Sequence, residues 1–471
     1  MPHKPLSAKS LKRKKLYFTP LPPIPSYRLR LTFSVICIAL LALLGRMARL
    51  QLYEGSFLEA QARANQTRKI KPLGSRRSIV DRKGRLVAVD ETRFRLYAHP
   101  ALFQLPGDVK GQMRKPIEIV RPLSSLLSIP IYELMGLLDG RKTGVKLSEG
   151  LSAEVADKVR SLGISGLDLQ PYSQRVYPQE DLFANVVGFL DYDRNAQAGL
   201  ELSLNQLLSR KEKARHIRYG KDGTALPNDI QPNALFEDNK QLSLTLDARL
   251  QEVAVDALRA QISQWSAKKG VAIAMNVHTG EILALASTPT YNPNKYWEYS
   301  PSLYKEWAVE ELFEPGSTFK PINLALALQE QVISPHGTIY DTGLITVGGW
   351  PLGNWDNKPN GLIDFPRVLQ VSSNVGMVKT MSKLSPSKHW DWLKRLEIDQ
   401  KPDTDLPGSV GGQMKRKELF IDQPIHQAVA SYGQGFSITP LKLVQLHALI
   451  ANGGKLISPH ITKGFQDKYS L

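Results

Sequence analysis

Cysteine is almost absent: Cys37 is the only one in 471 residues, and it sits inside an apolar run. The rest of the chain can therefore form no disulfide and offers no thiolate set for a metal. Acidic residues are missing from the start of the chain, where Lys4, Lys9, Lys12, Arg13, Lys14, Lys15, Arg28 and Arg30 all precede Glu54. No low-complexity tract dominates the sequence. The net charge of +17 comes with no zinc-finger spacing and no aromatic-studded basic motif, which sets nucleic acid aside as a partner. An uncharged stretch runs from Leu31 to Gly45, short of the ~20 residues of a full membrane span.

That stretch is extended by Met47, Ala48, Leu50, Leu52 and Tyr53, past Arg46 and Arg49, whose long stems can snorkel. Arg46 to Leu50 offers no small-residue cleavage site. We therefore expect residues 31–53 to be an uncleaved signal anchor in the cytoplasmic membrane. The positive-inside rule keeps the basic tail, residues 1–30, in the cytoplasm and exports everything after the span. A length of 471 residues with 42% hydrophobic content leaves room for two or three globular domains.

The most informative stretch runs from Glu314 to Pro321. Pro315 and Gly316 can form a tight turn, and Ile322, Leu324, Ala325, Leu326 and Leu328 then read as a buried helix. Pro321 fits only a first helical turn, which places Ser317 at the helix N-terminus with Lys320 on the same face. Free backbone N–H groups there can stabilise an oxyanion, and a desolvated lysine can take the serine's proton. The same Ser-x-x-Lys spacing occurs at Ser266, Ser302 and Ser385 without this context, so spacing alone decides nothing. A second element, Ser372-Ser373-Asn374, lies between apolar neighbours and can turn a hydroxyl and an amide into one cleft.

Together these elements resemble the penicillin-recognising serine enzymes, whose pattern is Ser-x-x-Lys, Ser-x-Asn and Lys-Thr-Gly in that order. Arg76 to Gly84 resembles the entry segment of class B penicillin-binding proteins, with Arg77 where that family has glycine. Arg175-Val176-Tyr177-Pro178, Asn185 to Phe189 and Gly199-Leu200-Glu201 resemble its non-catalytic pedestal, whose charged residues read as a solvated face. Asp247 reads as the N-cap of a helix with Leu250, Val253, Ala254, Ala257, Leu258, Ile262 and Trp265 toward a core. Val271–Met275 and Ile282–Ala286 read as a hairpin covered on both faces, with His278 exposed and inert at its tip. Tyr291 to Asn294, Asp405 to Gly408, Tyr432 to Gly435 and Ala451 to Gly454 complete the resemblance.

The resemblance implies an α+β protein: a single N-terminal transmembrane helix, a mixed α/β pedestal of dimerisation type over residues 54–240, and a penicillin-binding transpeptidase domain over 241–471. It further implies peptidoglycan D,D-transpeptidation, with Ser317 as nucleophile, Lys320 as base, and Ser372 and Asn374 relaying protons and holding the peptide. The implied ligands are stem peptides ending in D-Ala-D-Ala and inhibitory β-lactams, and the implied partners a glycosyltransferase and other division proteins. No cofactor or metal is called for. The short segment from anchor to entry motif resembles the septal members and so implies division, with an elongation-type transpeptidase as the alternative; a non-catalytic scaffold is the alternative of another class. The family's Lys-Thr-Gly strand would follow Gly454 by a few tens of residues, and Lys142-Thr143-Gly144 is read as coincidence. The expectation is thus a chain recorded short of that strand, and as written inactive and poorly folded in its catalytic half.

Overall fold

The apolar run forms a helix that begins ahead of its first uncharged stretch. In the computed structural model, which describes residues 26–70, 76–109, 113–210, 215–218 and 239–467, Ser26–Ala48 is α-helical and continues as a π-helical turn through Tyr53. None of its residues is buried, and Ser26–Tyr53 is long and apolar enough to cross a membrane. A helix apolar all round and uncovered by protein matches lipid as its solvent. Gly55–Gln66 is a second helix, followed by β1 (Thr67–Ile70), which pairs antiparallel with β6 (Arg215–Arg218). These elements make up one compact unit, and the basic tail up to Pro25 lies outside the described residues.

In the second unit the pedestal is built on a sheet of β2 (Ile79–Val80), β3 (Leu86–Ala98), β4 (Val145–Leu151) and β5 (Leu167–Val176). β3 pairs antiparallel with β2, β4 and β5. Alternation along β3 turns Phe94, Leu96 and Ala98 toward helices Pro116–Leu127, Ile131–Leu138 and Ala153–Ser161, where Ile119, Leu123, Leu134 and Val159 close a core. Arg77, which stands where a glycine was expected, is not among the residues with positive φ, so the position makes no demand that only glycine meets.

The reading of the pedestal charges as a solvated face is wrong at its centre. Arg76, Arg175 and Glu201 are buried: Glu201 takes Arg76 Nε on one oxygen at 2.5 Å and Arg175 Nε on the other at 2.7 Å. Arg175 also reaches Asp90 at 3.1 Å, and Arg194 holds the same carboxylate at 2.6 Å. The partners come from separate parts of the chain, so no periodicity could reveal them. Removing one would strand a buried charge, which typically costs about 3–5 kcal/mol.

The C-terminal half enters through β7 (Lys240–Leu244), which runs parallel to β2, and helix Ala248–Trp265, capped by Asp247 Oδ1. The buried face of that helix differs from the expected one: Ala248, Gln251 and Val255 are buried, while Val253 and Trp265 are 64% and 72% exposed. Gln251 occupies an apolar position because it acts as a rung of sheet. Its amide donates to the Leu182 and Leu285 carbonyls and accepts the Leu285 N–H at 2.8 Å. β8 (Gly270–Met275) and β9 (Ile282–Thr288) form the expected antiparallel hairpin with His278 exposed at its tip. β8 is only half-buried, not covered on both faces, and among the described residues its other edge has no strand partner.

Beyond the hairpin come two small antiparallel pairs, β10 (Thr338–Asp341) with β13 (Gly361–Asp364) and β11 (Leu344–Val347) with β12 (Trp350–Gly353). The helices Lys320–Gln329, Asn374–Met381 and Pro440–Ala451 follow the Ser-x-x-Lys segment, the Ser-x-Asn segment and the Gly-rich turn near Gly433. β14 (Thr462–Asp467) returns to pair antiparallel with β7, so the pedestal sheet runs β14-β7-β2-β3-β4.

Candidate active site

Ser317 lies in a 3₁₀ turn, Gly316–Phe319, and the α-helix proper begins at Lys320 with Pro321 in its first turn. This corrects the expected position by one turn while keeping the N–H groups ahead of a helix available. Phe319 is fully buried and meets Phe436 edge-on at 4.8 Å, whereas Ser317 is exposed. Ile322, Leu324 and Leu326 are buried as expected, but Leu328 is 40% exposed. Two glycines make the turn possible. Gly316 has φ +57° and donates its N–H to Gly433 O at 2.8 Å; a Cβ on Gly433, itself at φ +81°, would sit 2.1 Å from Gly316 O. His447, on helix Pro440–Ala451, donates through Nε2 to the Thr318 carbonyl at 2.9 Å and fixes the turn from the other side.

The second element closes on the first. Lys320, 1% exposed, points its Nζ at Ser372 O (2.6 Å), Ser372 Oγ (3.0 Å) and Asn374 Oδ1 (2.7 Å). Ser372 Oγ lies in turn 3.0 Å from Ser317 Oγ. All four residues singled out in the sequence thus meet in one place, and the link from Lys320 to Ser317 runs through Ser372. Burial pulls the Lys320 ammonium down to about 8. Ser372 adopts the left-handed region, φ 54°, which lets its carbonyl and its hydroxyl face the same amine.

A buried clamp that sequence reasoning missed holds this loop. Asp341, at the end of β10, accepts from Ser373 Oγ (2.7 Å), Asn360 Nδ2 (2.6 Å), Asn354 Nδ2 (2.9 Å) and the Gly343 N–H (2.7 Å). Burial pushes its carboxyl up, yet these hydrogen bonds outweigh that and hold it below the usual value. Asn354 Oδ1 accepts the N–H groups of Asn374 (2.9 Å) and Val375 (3.2 Å), and Gly353 O accepts Asn374 Nδ2 at 2.9 Å. Only Asp341-Thr342-Gly343, an Asx-turn sequence, carried a local signal of this. Asn354→Ala should leave the turn free to drift, and a misplacement of about 1 Å is worth roughly a hundredfold in rate. We expect acylation by penicillin to slow by one to two orders of magnitude, measured as the second-order rate constant; an unchanged rate would refute the clamp.

The other Ser-x-x-Lys matches are structural. Ser266 ends a helix in the left-handed region and Lys269 pairs with Glu311; Ser385 caps the Lys388 N–H while Lys388 pairs with Glu330. Ser302 donates its backbone N–H to Ser300 Oγ, the cap of a 3₁₀ turn. Lys142-Thr143-Gly144 lies in the pedestal between helix Ile131–Leu138 and β4, where Thr143 Oγ1 and the Gly144 N–H meet His99 Nδ1.

A dimerisation-type pedestal ahead of an α+β domain, with Ser-x-x-Lys and Ser-x-Asn brought together, is the architecture of the class that the sequence resembles. Comparison with known proteins narrows this. Residues 72–233 match the penicillin-binding protein dimerisation domain and residues 270–470 the penicillin-binding protein transpeptidase domain. The chain belongs to the penicillin-binding proteins that join these two domains. It is 34% identical to the peptidoglycan D,D-transpeptidase FtsI homologs of Chlorokybus atmophyticus and Mesostigma viride, over 89% and 90% of its own length and 62% and 71% of theirs. It is 28% identical to peptidoglycan D,D-transpeptidase FtsI of Escherichia coli, over 93% of this chain and 73% of that protein. The crystal structure of penicillin binding protein 2X from Streptococcus thermophilus superposes with a TM-score of 0.66 at 24% identity, covering 85% of this chain and 61% of that one, and so shares the fold.

Proposed function

We propose that the protein cross-links peptidoglycan as a D,D-transpeptidase at the division septum, with Ser317 as its nucleophile. The observation that carries this reading is the chain of contacts from Ser317 through Ser372 to a buried Lys320. A neutral amine at Lys320 can give its two N–H bonds to Ser372 O and Asn374 Oδ1, which leaves its lone pair for the Ser372 hydroxyl. Ser317 then passes its proton to Ser372 Oγ as Ser372 passes its own to Lys320 Nζ, and Ser317 Oγ attacks the carbonyl carbon of the penultimate D-alanine. Its C–N bond breaks, the proton returns by the same path to the departing D-alanine amine, and a serine ester remains. The amine of a neighbouring stem peptide attacks this ester, its proton goes back to Ser317 Oγ, and the new amide is the cross-link. β-Lactams, whose ring amide opens on the same serine, are the expected inhibitors.

The test is a synthetic pentapeptide ending in D-Ala-D-Ala, given to the protein in its native membrane. One D-alanine should be released per acyl-enzyme formed, and a peptide-sized mass added on the tryptic fragment carrying Ser317. Peptide binding without that mass would favour a scaffold.

The relatives named for FtsI support the division role, and partners among division proteins, including a glycosyltransferase, belong to the same proposal. In this reading the positive-inside rule keeps residues 1–30 in the cytoplasm and puts everything after residue 53 outside. Protease added to intact spheroplasts should degrade the part that contains Ser317, and full protection of that part would sink the topology.

A further inference from the structure

Away from Ser317, a cleft of about 550 Å³ opens beside β5, where the pedestal meets the turn around Pro293 to Trp297. It lies on the face of the pedestal sheet that the three helices leave bare, because Arg95 alternates with the buried Phe94 and Leu96. Its size falls within the ~300–1,000 Å³ of small-molecule sites.

The guanidinium groups lining it are already matched, and the Asp191 carboxylate accepts from the Asn195 and Gln197 amides. Arg95 pairs with Glu149 at 3.0 Å and lies between two rings, 4.1 Å from the centroid of Tyr172 and 5.6 Å from that of Tyr192. Arg194 is held by Asp90 at 2.6 Å and by the Ser173 carbonyl at 2.6 Å. Guanidinium groups so committed have no spare charge for a phosphate or a carboxylate. What the cleft does present is bare aromatic surface, since Tyr192 is 65% and Trp297 67% exposed. Tyr192 is held in place: its hydroxyl donates to Glu149 at 3.0 Å and its N–H to Tyr296 Oη at 2.9 Å.

Rings kept in water at fixed angles beside paired polar groups suit an uncharged ligand with a flat apolar face and a rim of hydroxyls and amides. Pyranose rings bearing N-acetyl groups have that shape. A peptide strand adding to the edge of β5 would need the Ser173 carbonyl, which Arg194 already occupies. We propose that this cleft binds a short stretch of amino-sugar glycan, the backbone of the polymer whose stem peptides meet at Ser317. The identity of that polymer rests on the transpeptidase reading above. The cleft would hold the strand while its peptides are exchanged at the serine.

Chitotetraose, an oligomer of N-acetylglucosamine, is the probe, titrated by calorimetry into the full chain in detergent. Saturable binding is expected, weakened at least fivefold in Trp297→Ala and in Tyr192→Ala and less than that in Tyr192→Phe, which keeps the ring and its backbone anchor but loses the bond to Glu149. Trp297 is exposed, so its loss should leave the melting temperature in place. Ser317→Ala, and the wild-type chain after treatment with penicillin, should bind the sugar as before. The proposal is overturned by the absence of saturable heat up to about 10 mM, by full affinity in both alanine variants, by loss of binding on penicillin treatment, or by displacement of the sugar by a sugar-free stem peptide. Fluorescent penicillin labelling of the same samples separates the two readings. Sugar binding without labelling at Ser317 counts against the transpeptidase, and labelling without sugar binding counts against the cleft alone.

Discussion

Ser317→Ala should abolish covalent labelling by fluorescent penicillin, a loss on the order of 10⁵–10⁶ in acylation rate, while Ser266→Ala, Ser302→Ala and Ser385→Ala label as the wild type does. The size of the effect follows from chemistry: without the hydroxyl no ester can form, and removal of a nucleophile leaves only what binding and the oxyanion donors supply. The specificity follows from the surroundings. Each rival serine serves a helix end or a 3₁₀ turn, and Lys269 and Lys388 are tied to glutamates. Ser317 alone of the four has a hydroxyl within reach of a second hydroxyl that is itself bonded to a buried amine. The measurement is labelling of membranes resolved by electrophoresis. Labelling that survives Ser317→Ala would move the nucleophile elsewhere.

What was legible in the sequence was local. A Pro-Gly turn before an apolar helix marked the segment of Ser317 and Lys320, since the physics of a helix start is written within a few residues. The Ser-x-Asn turn was visible for the same reason. The parts that could not be read are those in which partners far apart in sequence share one buried group. Asp341 binds Ser373, Asn354 and Asn360, Glu201 binds Arg76 and Arg175, and Gln251 stands in for a hydrophobe because a strand lies beside it. A polar residue carries no mark of its future burial; only the fold supplies its partner. Helical spacing failed in the same way for helix Ala248–Trp265, where Val253 and Trp265 face solvent and the true stripe passes through Gln251.

The pH dependence of acylation should report Lys320. Burial favours its neutral form and brings its pKa down to about 8, so the fraction able to accept a proton rises through that value and levels off above it. At pH 6 about one molecule in a hundred would hold a neutral amine, and acylation should be roughly a hundredfold slower than on the plateau. Stability follows the same linkage with its own sign. The folded state binds fewer protons than the unfolded one between about 8 and the ordinary lysine value of ~10.4, so stability rises with pH across that window, and below it the cost of a buried ammonium is fully present. Lys320→Arg keeps a charge that cannot be discharged near neutrality, and should lose acylation at every pH tested. Lys320→Ala should lose acylation as well, since it leaves no amine to take the proton from Ser372. Stopped-flow acylation from pH 6 to 10, run beside thermal melts, distinguishes the roles. A flat rate profile together with an active Lys320→Arg variant would show that another group takes the serine's proton.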